Sequence, residues 1–184
     1  MGTASSTLKE LNLGCGNLHN ADPQVVHHDQ TMHHPDIRLT FDLDDVDGTS
    51  RVQMWGQYED GRDQFRRVRG DERYLVQFEH INAKDVLEHT EPKNFFKIME
   101  FCWQNLIPGG TMYVQVPQHG SPNHTIDPTH YRGFQLESFH FLDPLTSIGR
   151  RNRFYGNSPW KLEQHGSIPN TTINLRFLLR KLLP

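Results

Sequence analysis

Leu8-Lys9-Glu10-Leu11-Asn12-Leu13-Gly14-Cys15-Gly16-Asn17 is the first strong signal along the sequence. Apolar and polar residues alternate and then give way to two closely spaced glycines, the pattern of a short strand running into a tight turn. Without a Cβ at 14 and 16 the chain can turn sharply and bring its N–H groups close to a ligand. Leu18-His19 stands where a dinucleotide fingerprint would carry its third glycine, which disfavours nicotinamide cofactors.

Outward from this turn, strand-like stretches keep ending on acidic residues. Val25-Val26 leads to His27-His28-Asp29, Ile37-Arg38-Leu39-Thr40-Phe41 to Asp42, and Leu75 to Ala83 to Lys84-Asp85. Glu91-Pro92 then predicts a helix start, since proline in the first turn lacks only an N–H that would go unused. Phe95, Phe96, Ile98, Met99, Cys102, Trp103 and Leu106 form an apolar stripe at three- and four-residue spacings. Ile107-Pro108-Gly109-Gly110 predicts the helix's closing turn, and Thr111 to Pro117 a buried strand. Strand, turn and helix alternating in this way predict an α/β fold: a Rossmann-like sandwich with a mostly parallel central sheet and helices on both faces. In such a sheet the carboxyl ends of the strands line one edge, where ligands bind. Asp29 is placed to accept from ribose hydroxyls, Asp42 from an adenine amino group, and the Leu43 N–H to donate to the ring.

The 184 residues suit a single domain, 1–184. Within it, residues 44–73 are charged, glycine-containing and without clear period, predicting a polar insertion that contains a short helix or hairpin, with Gln64 to Arg69 a candidate. Residues 118–143, rich in His, Pro and aromatics, predict a substrate-side lid, with a short helix near Leu136 to Phe141. Two further strands are expected, Arg153-Phe154-Tyr155 extended towards Trp160-Lys161-Leu162, and Thr172 to Leu178. Cys15 and Cys102, 87 positions apart in apolar contexts, argue against a disulfide framework or a thiolate zinc site. No apolar run is long enough to span a membrane, and the amino-terminal residues lack the features of a secretory leader. The expectation is a soluble, cytoplasmic chain. A formal net charge of −3 supplies no field for holding a polyanion, which disfavours nucleic acid as the principal partner.

Leu11-Asn12-Leu13-Gly14-Cys15-Gly16-Asn17 resembles the first motif of class I S-adenosylmethionine-dependent methyltransferases. Asp85-Val86-Leu87-Glu88-His89 resembles their H-V-L-E-H segment after the fourth strand, and Asn105-Leu106-Ile107-Pro108-Gly109-Gly110-Thr111 the L-K-P-G-G-x segment that opens the fifth. Asp127-Pro128-Thr129-His130-Tyr131-Arg132 is similar to a D-P-T-H-x-R segment of small bacterial and phage members. The likeness extends from about residue 8 to about 143. It implies S-adenosyl-L-methionine as cofactor: Gly14, Cys15 and Gly16 behind its methionine portion, Asp29 on the ribose, Asp42 and Leu43 around adenine, and Ala83, Lys84 and Asp85 beside the amino-acid end and the reactive methyl. Asn12 stands in place of the usual acidic residue before the turn, the spacing from Gly16 to Asp29 is short, and Asp85 replaces a frequent histidine.

Methyl transfer from a sulfonium chiefly needs donor and acceptor in line. A hydroxyl acceptor also benefits from a base titrating near neutrality. The expected catalytic residues are His130 as base and Asp127 orienting it, with His124, Tyr131 and Arg132 as substrate contacts and no metal required. The lid's His119, His124, Asp127 and His130 match no familiar metal spacing. The expected activity is O-methylation of a sugar or a related small or polymer-attached acceptor. Two alternatives stand beside it: nucleic-acid methylation using Arg62, Arg66, Arg67 and Arg69, and a methyltransferase-like module with weak or no catalysis. Homodimerisation is left open.

Overall fold

The computed structural model describes residues 7–14, 25–28, 37–39, 52–57, 63–65, 77–152, 158–169 and 174–183. The strands are β1 (Thr7–Leu13), β2 (Val25–His28), β3 (Ile37–Leu39), β4 (Val52–Gln57), β5 (Asp63–Phe65), β6 (Gln77–Lys84), β7 (Leu106–Pro117), β8 (Trp160–Ser167) and β9 (Asn174–Lys181). The α-helices are α1 (Phe95–Asn105), α2 (Pro122–Ile126) and α3 (Ser147–Arg151). Among the described residues β2-β1-β6-β7-β9-β8 form a six-stranded sheet, and β3-β4-β5 a small antiparallel one. β2, β1, β6 and β7 run parallel, while β9 is antiparallel to both its neighbours. The chain leaves β1 towards β2 on one side and later lays β6 on the other. The strand order therefore reverses between β1 and β6, and the crevice at their carboxyl ends is the sheet's switch point.

One sheet face carries the core. Leu11, Leu13, Ile81, Ala83, Met112, Val114, Val116, Leu175, Phe177 and Leu179 are buried on it, and α1 adds Ile98, Met99 and Cys102. Phe139 packs against Phe177 at 4.4 Å between ring centroids and continues this layer towards the lid. The opposite face presents Glu10, His80, Asn82, Lys84, Thr111 and Tyr113, which line an open depression. Thr111 to Pro117 is therefore buried on one side only, because its alternating pattern commits every second residue to the polar face. Helical cover is seen among the described residues on the apolar face.

Two local expectations change and a third is specified. The helix stops at Asn105, Leu106 is already extended, and Pro108-Gly109-Gly110 lies inside β7, where the register with β6 shifts between Phe78 and His80. Gly109, at φ +75°, serves this bulge and not a closing turn. Among the described residues Ile37–Leu39 pairs with β4, outside the six-stranded sheet. The expected hairpin within 44–73 is β4–β5, and Gln64 and Phe65 belong to its second strand; residues 66–69 lie outside the described set.

The carboxyl-terminal hairpin β8–β9 is tied back to the body; β9 overlaps the strand expected at 172–178, while β8 shares Trp160 to Leu162 with the other expected strand, whose residues 153–157 lie outside the described set. Buried Asp143 accepts from the Leu162 N–H at 2.9 Å, beside the register shift of β8, and from the Leu145 N–H at 2.8 Å. Gly149 passes so close to the Asp143 carbonyl oxygen that any Cβ there would overlap it.

Candidate functional site

Leu13, Ala83 and Val114 lie side by side across β1, β6 and β7, so the residues that follow them share the carboxyl edge. Gly14 follows β1 at φ +65°, and an added Cβ would come within 2.5 Å of Val86. The glycine turn and the loop after β6 are thus packed directly on one another at the switch point. Asp85 opens that loop at φ +52°, an uncommon conformation for a residue with a side chain. Its N–H donates to the Gln115 carbonyl at 2.9 Å, and Gln115 Nε2 donates to its Oδ2 at 3.0 Å. Burial pushes the Asp85 carboxyl above its ordinary range; Gln115 and, more weakly, His130, His89 and Lys84 pull it down. Ala83 is fully buried and contributes backbone, whereas Lys84 is exposed and lies 5.8 Å from the Tyr113 ring centroid.

The Leu87–His89 3-10 turn comes next. Glu88 is 1% exposed, and its Oε2 has no hydrogen-bond partner among the described residues. Burial drives its carboxyl up to about 8, with Asp85 and Asp127 adding repulsion. The segment 118–143, read from the sequence as a lid, is pinned here: the Tyr131 N–H donates to the Glu88 carbonyl at 2.8 Å, and the His119 N–H to that of Phe134 at 2.8 Å. Gly133 allows the second closure, since a Cβ there would meet the His119 backbone and ring.

Within the lid, Asp127 Oδ1 accepts from the Thr129 N–H at 2.8 Å and from its hydroxyl at 2.7 Å, which holds the Asp127 carboxyl below its usual range. The Thr129 proton is spent on Asp127, so its oxygen accepts from His89 Nδ1 at 2.9 Å. His130 Nδ1 faces the His124 carbonyl at 3.2 Å and must be the donor, because a carbonyl only accepts. Both histidines therefore carry a proton on Nδ1, which makes Nε2 the nitrogen that can offer a lone pair. His130 Nε2 lies 3.8 Å from Asp127 Oδ2, and the His89 and His130 rings meet edge to face at 4.6 Å. His124 stacks at 6.3 Å from His130, and burial together with His119 and His130 lowers its pKa.

The structure thus gathers Gly14, Ala83, Lys84, Asp85, His124, Asp127 and His130 at or above one edge. Tyr131 is 57% exposed and free to meet a ligand. Arg132 turns inward, its guanidinium 4.3 Å from the Phe95 and 4.7 Å from the Phe134 ring centroids, where it holds the lid to the core. Cys15, Gly16, Asp29, Asp42 and Leu43 lie outside the described residues, as do the arginines at 62, 66, 67 and 69. Glu88, His89 and Gln115 received no site role from the sequence. Leu87-Glu88-His89 carried a signal as a motif, but its direction was unreadable because the lid contacts come from 40 positions away.

No family model and no curated protein matches the chain. Among solved structures, it is similar to a SAM dependent methyltransferase from Archaeoglobus fulgidus, at 12% identity and a TM-score of 0.47, over 96% of this chain and 87% of that one.

Proposed function

We propose that the chain is an S-adenosylmethionine-dependent methyltransferase acting on a hydroxyl of a sugar or related small or polymer-attached acceptor. The observation that carries this reading is the pairing, at the switch point, of a left-handed glycine turn after β1 with a left-handed aspartate after β6. That crevice is where a doubly wound sheet binds nucleotide-like ligands, and backbone held in such conformations concentrates at functional sites.

The donor set fits the cofactor's chemistry. Asp85 is a carboxyl short of counter-charge, held by one amide side chain, and a cationic amino-acid end would relieve its burial. Gly14, Cys15, Gly16, Ala83, Lys84 and Asp85 would hold the methionine portion, Asp29 the ribose, and Asp42 with Leu43 the adenine. When bound, the sulfonium supplies an already activated methyl group. The chain's own task is to align the acceptor and take its proton. His130 presents Nε2 as the acceptor nitrogen, its other nitrogen fixed by the His124 carbonyl, with Asp127 Oδ2 3.8 Å away. His124 and Tyr131 would contact the acceptor.

Titration calorimetry with S-adenosylmethionine and S-adenosylhomocysteine tests the reading. Micromolar binding, weakened about tenfold or more in Asp29→Ala and in Asp85→Asn, is expected from the loss of charge-assisted hydrogen bonds. Asparagine tolerates the left-handed conformation, so Asp85→Asn isolates the charge. His130→Ala should spare donor binding and lower turnover; equal loss of both would remove its role as base. A folded protein that binds neither compound would overturn the assignment.

A further inference from the structure

Glu88, His89 and His130 each place one ligand atom within 4.8 Å of the others, the first buried and the two imidazoles half-buried. Two independent features distinguish this trio from a chance cluster. The first is the orphaned Oε2 of Glu88, a carboxylate oxygen 99% shielded from water with no donor among the described residues. A buried carboxyl oxygen in that state lacks a polar partner, and a cation seated between it and the two imidazoles would supply one.

The second is the support behind both rings. His89 Nδ1 donates to Thr129 Oγ1, which is itself fixed by Asp127, and His130 Nδ1 donates to the His124 carbonyl. Metal-bound histidines are oriented in this way, with the remote N–H engaged and the other lone pair directed at the ion. We infer that Glu88, His89 and His130 form a binding site for a divalent transition-metal ion. Two imidazoles and one carboxylate suit zinc or a neighbouring first-row ion, whereas magnesium and calcium take oxygen ligands.

Ligand atoms around a tetrahedral zinc lie roughly 3.3 Å apart, so binding draws the three side chains inward. The Tyr131 N–H bond to the Glu88 carbonyl joins the two ligand-bearing segments, so this movement tightens the lid onto the turn after β6. In the metal-free chain the His130 Nε2 lone pair serves as the base described above; with the ion bound, polarisation of the acceptor hydroxyl passes to the metal. That catalytic consequence rests on the methyltransferase reading, whereas the site itself is tested without donor or acceptor.

Tag-free protein, stripped with a chelator, is titrated with Zn2+ alone, and separately with Co2+ while visible absorption is recorded. One equivalent is expected that Glu88→Gln and His89→Gln each weaken at least tenfold, with Co2+ bands of four- or five-coordination that those variants lose. Excess Mg2+ should not compete. Thr129→Val leaves all three ligands in place, removes the support of His89 together with the hydroxyl's bond to Asp127, and should weaken binding by about tenfold, which keeps the test available should Glu88→Gln fail to fold. Wild-type affinity in the folded variants would assign any bound zinc to the other histidines and overturn the inference, as would a folded wild type that binds none.

Discussion

At Gly14 two requirements coincide, a left-handed φ and the absence of any atom where Val86 sits. Gly14→Ala would meet both penalties, and a loss of about 2–4 kcal/mol is expected from the left-handed cost plus overpacking. Denaturant unfolding followed by circular dichroism measures it; an unchanged midpoint would mean that the turn and the Val86 loop are not packed together. Asp85 presents the opposite balance. Its side chain incurs a conformational cost that glycine would not, so Asp85→Gly should leave stability equal or raise it by up to about 1 kcal/mol while weakening donor binding. The same pair of experiments reads both quantities. The glycine pattern was legible in the sequence, but its partner was not: nothing in Asp85-Val86-Leu87 says that Val86 closes on position 14, 72 residues away.

At the scale of elements, the hairpin β8–β9 is held by Arg180, which grips Glu163 through Nε at 2.7 Å and Nη2 at 2.9 Å and reaches the Gly109 carbonyl through Nη1 at 2.6 Å. This ties the bulge of β7 to the sheet's far edge. The guanidinium holds the Glu163 carboxyl below its ordinary value of 4.5. A carboxylate depressed in the folded state contributes stability that is present above that unfolded value and is lost as the pH falls through the lowered one. Glu163→Gln should thus lower stability at about pH 7 by under about 1 kcal/mol for so accessible a pair, seen as a slightly lower Tm, and the difference should shrink as the pH falls through the lowered value. A difference that persists in acid would locate the effect in packing. β1, β6, β7 and α1 were legible from their apolar patterns, whereas β4, in a stretch without clear period, and the boundary at Asn105 were not. Pro108-Gly109-Gly110 reads locally as a helix stop, and its place inside β7 depends on pairing with β6.

Across the whole molecule, the core lies on one face of the sheet and encloses Cys102 completely; burial pushes its thiol up to about 12. Thiolate, not thiol, reacts with alkylating agents, so Cys102 should resist iodoacetamide at about pH 8 in the native protein and react only after global unfolding. Peptide mapping by mass spectrometry distinguishes it from Cys15. Modification at Cys102 under native conditions would show that α1 opens independently of the sheet.

Local chemistry, written in the order of residues, determined by itself the α/β class, the glycine turn, the strand ends and the apolar stripe of α1, because alternation, helical spacing and the need for a missing Cβ act within a few positions. The tertiary structure decided which of those ends meet. Only folding brings Glu88 and His89 under Thr129 and His130, leaves a carboxylate oxygen buried without a donor, and turns Arg132 from the expected substrate side onto Phe95 and Phe134. Such contacts join segments some 40 residues apart through chain closure, and the free energy of a buried charge exists only once its surroundings are assembled.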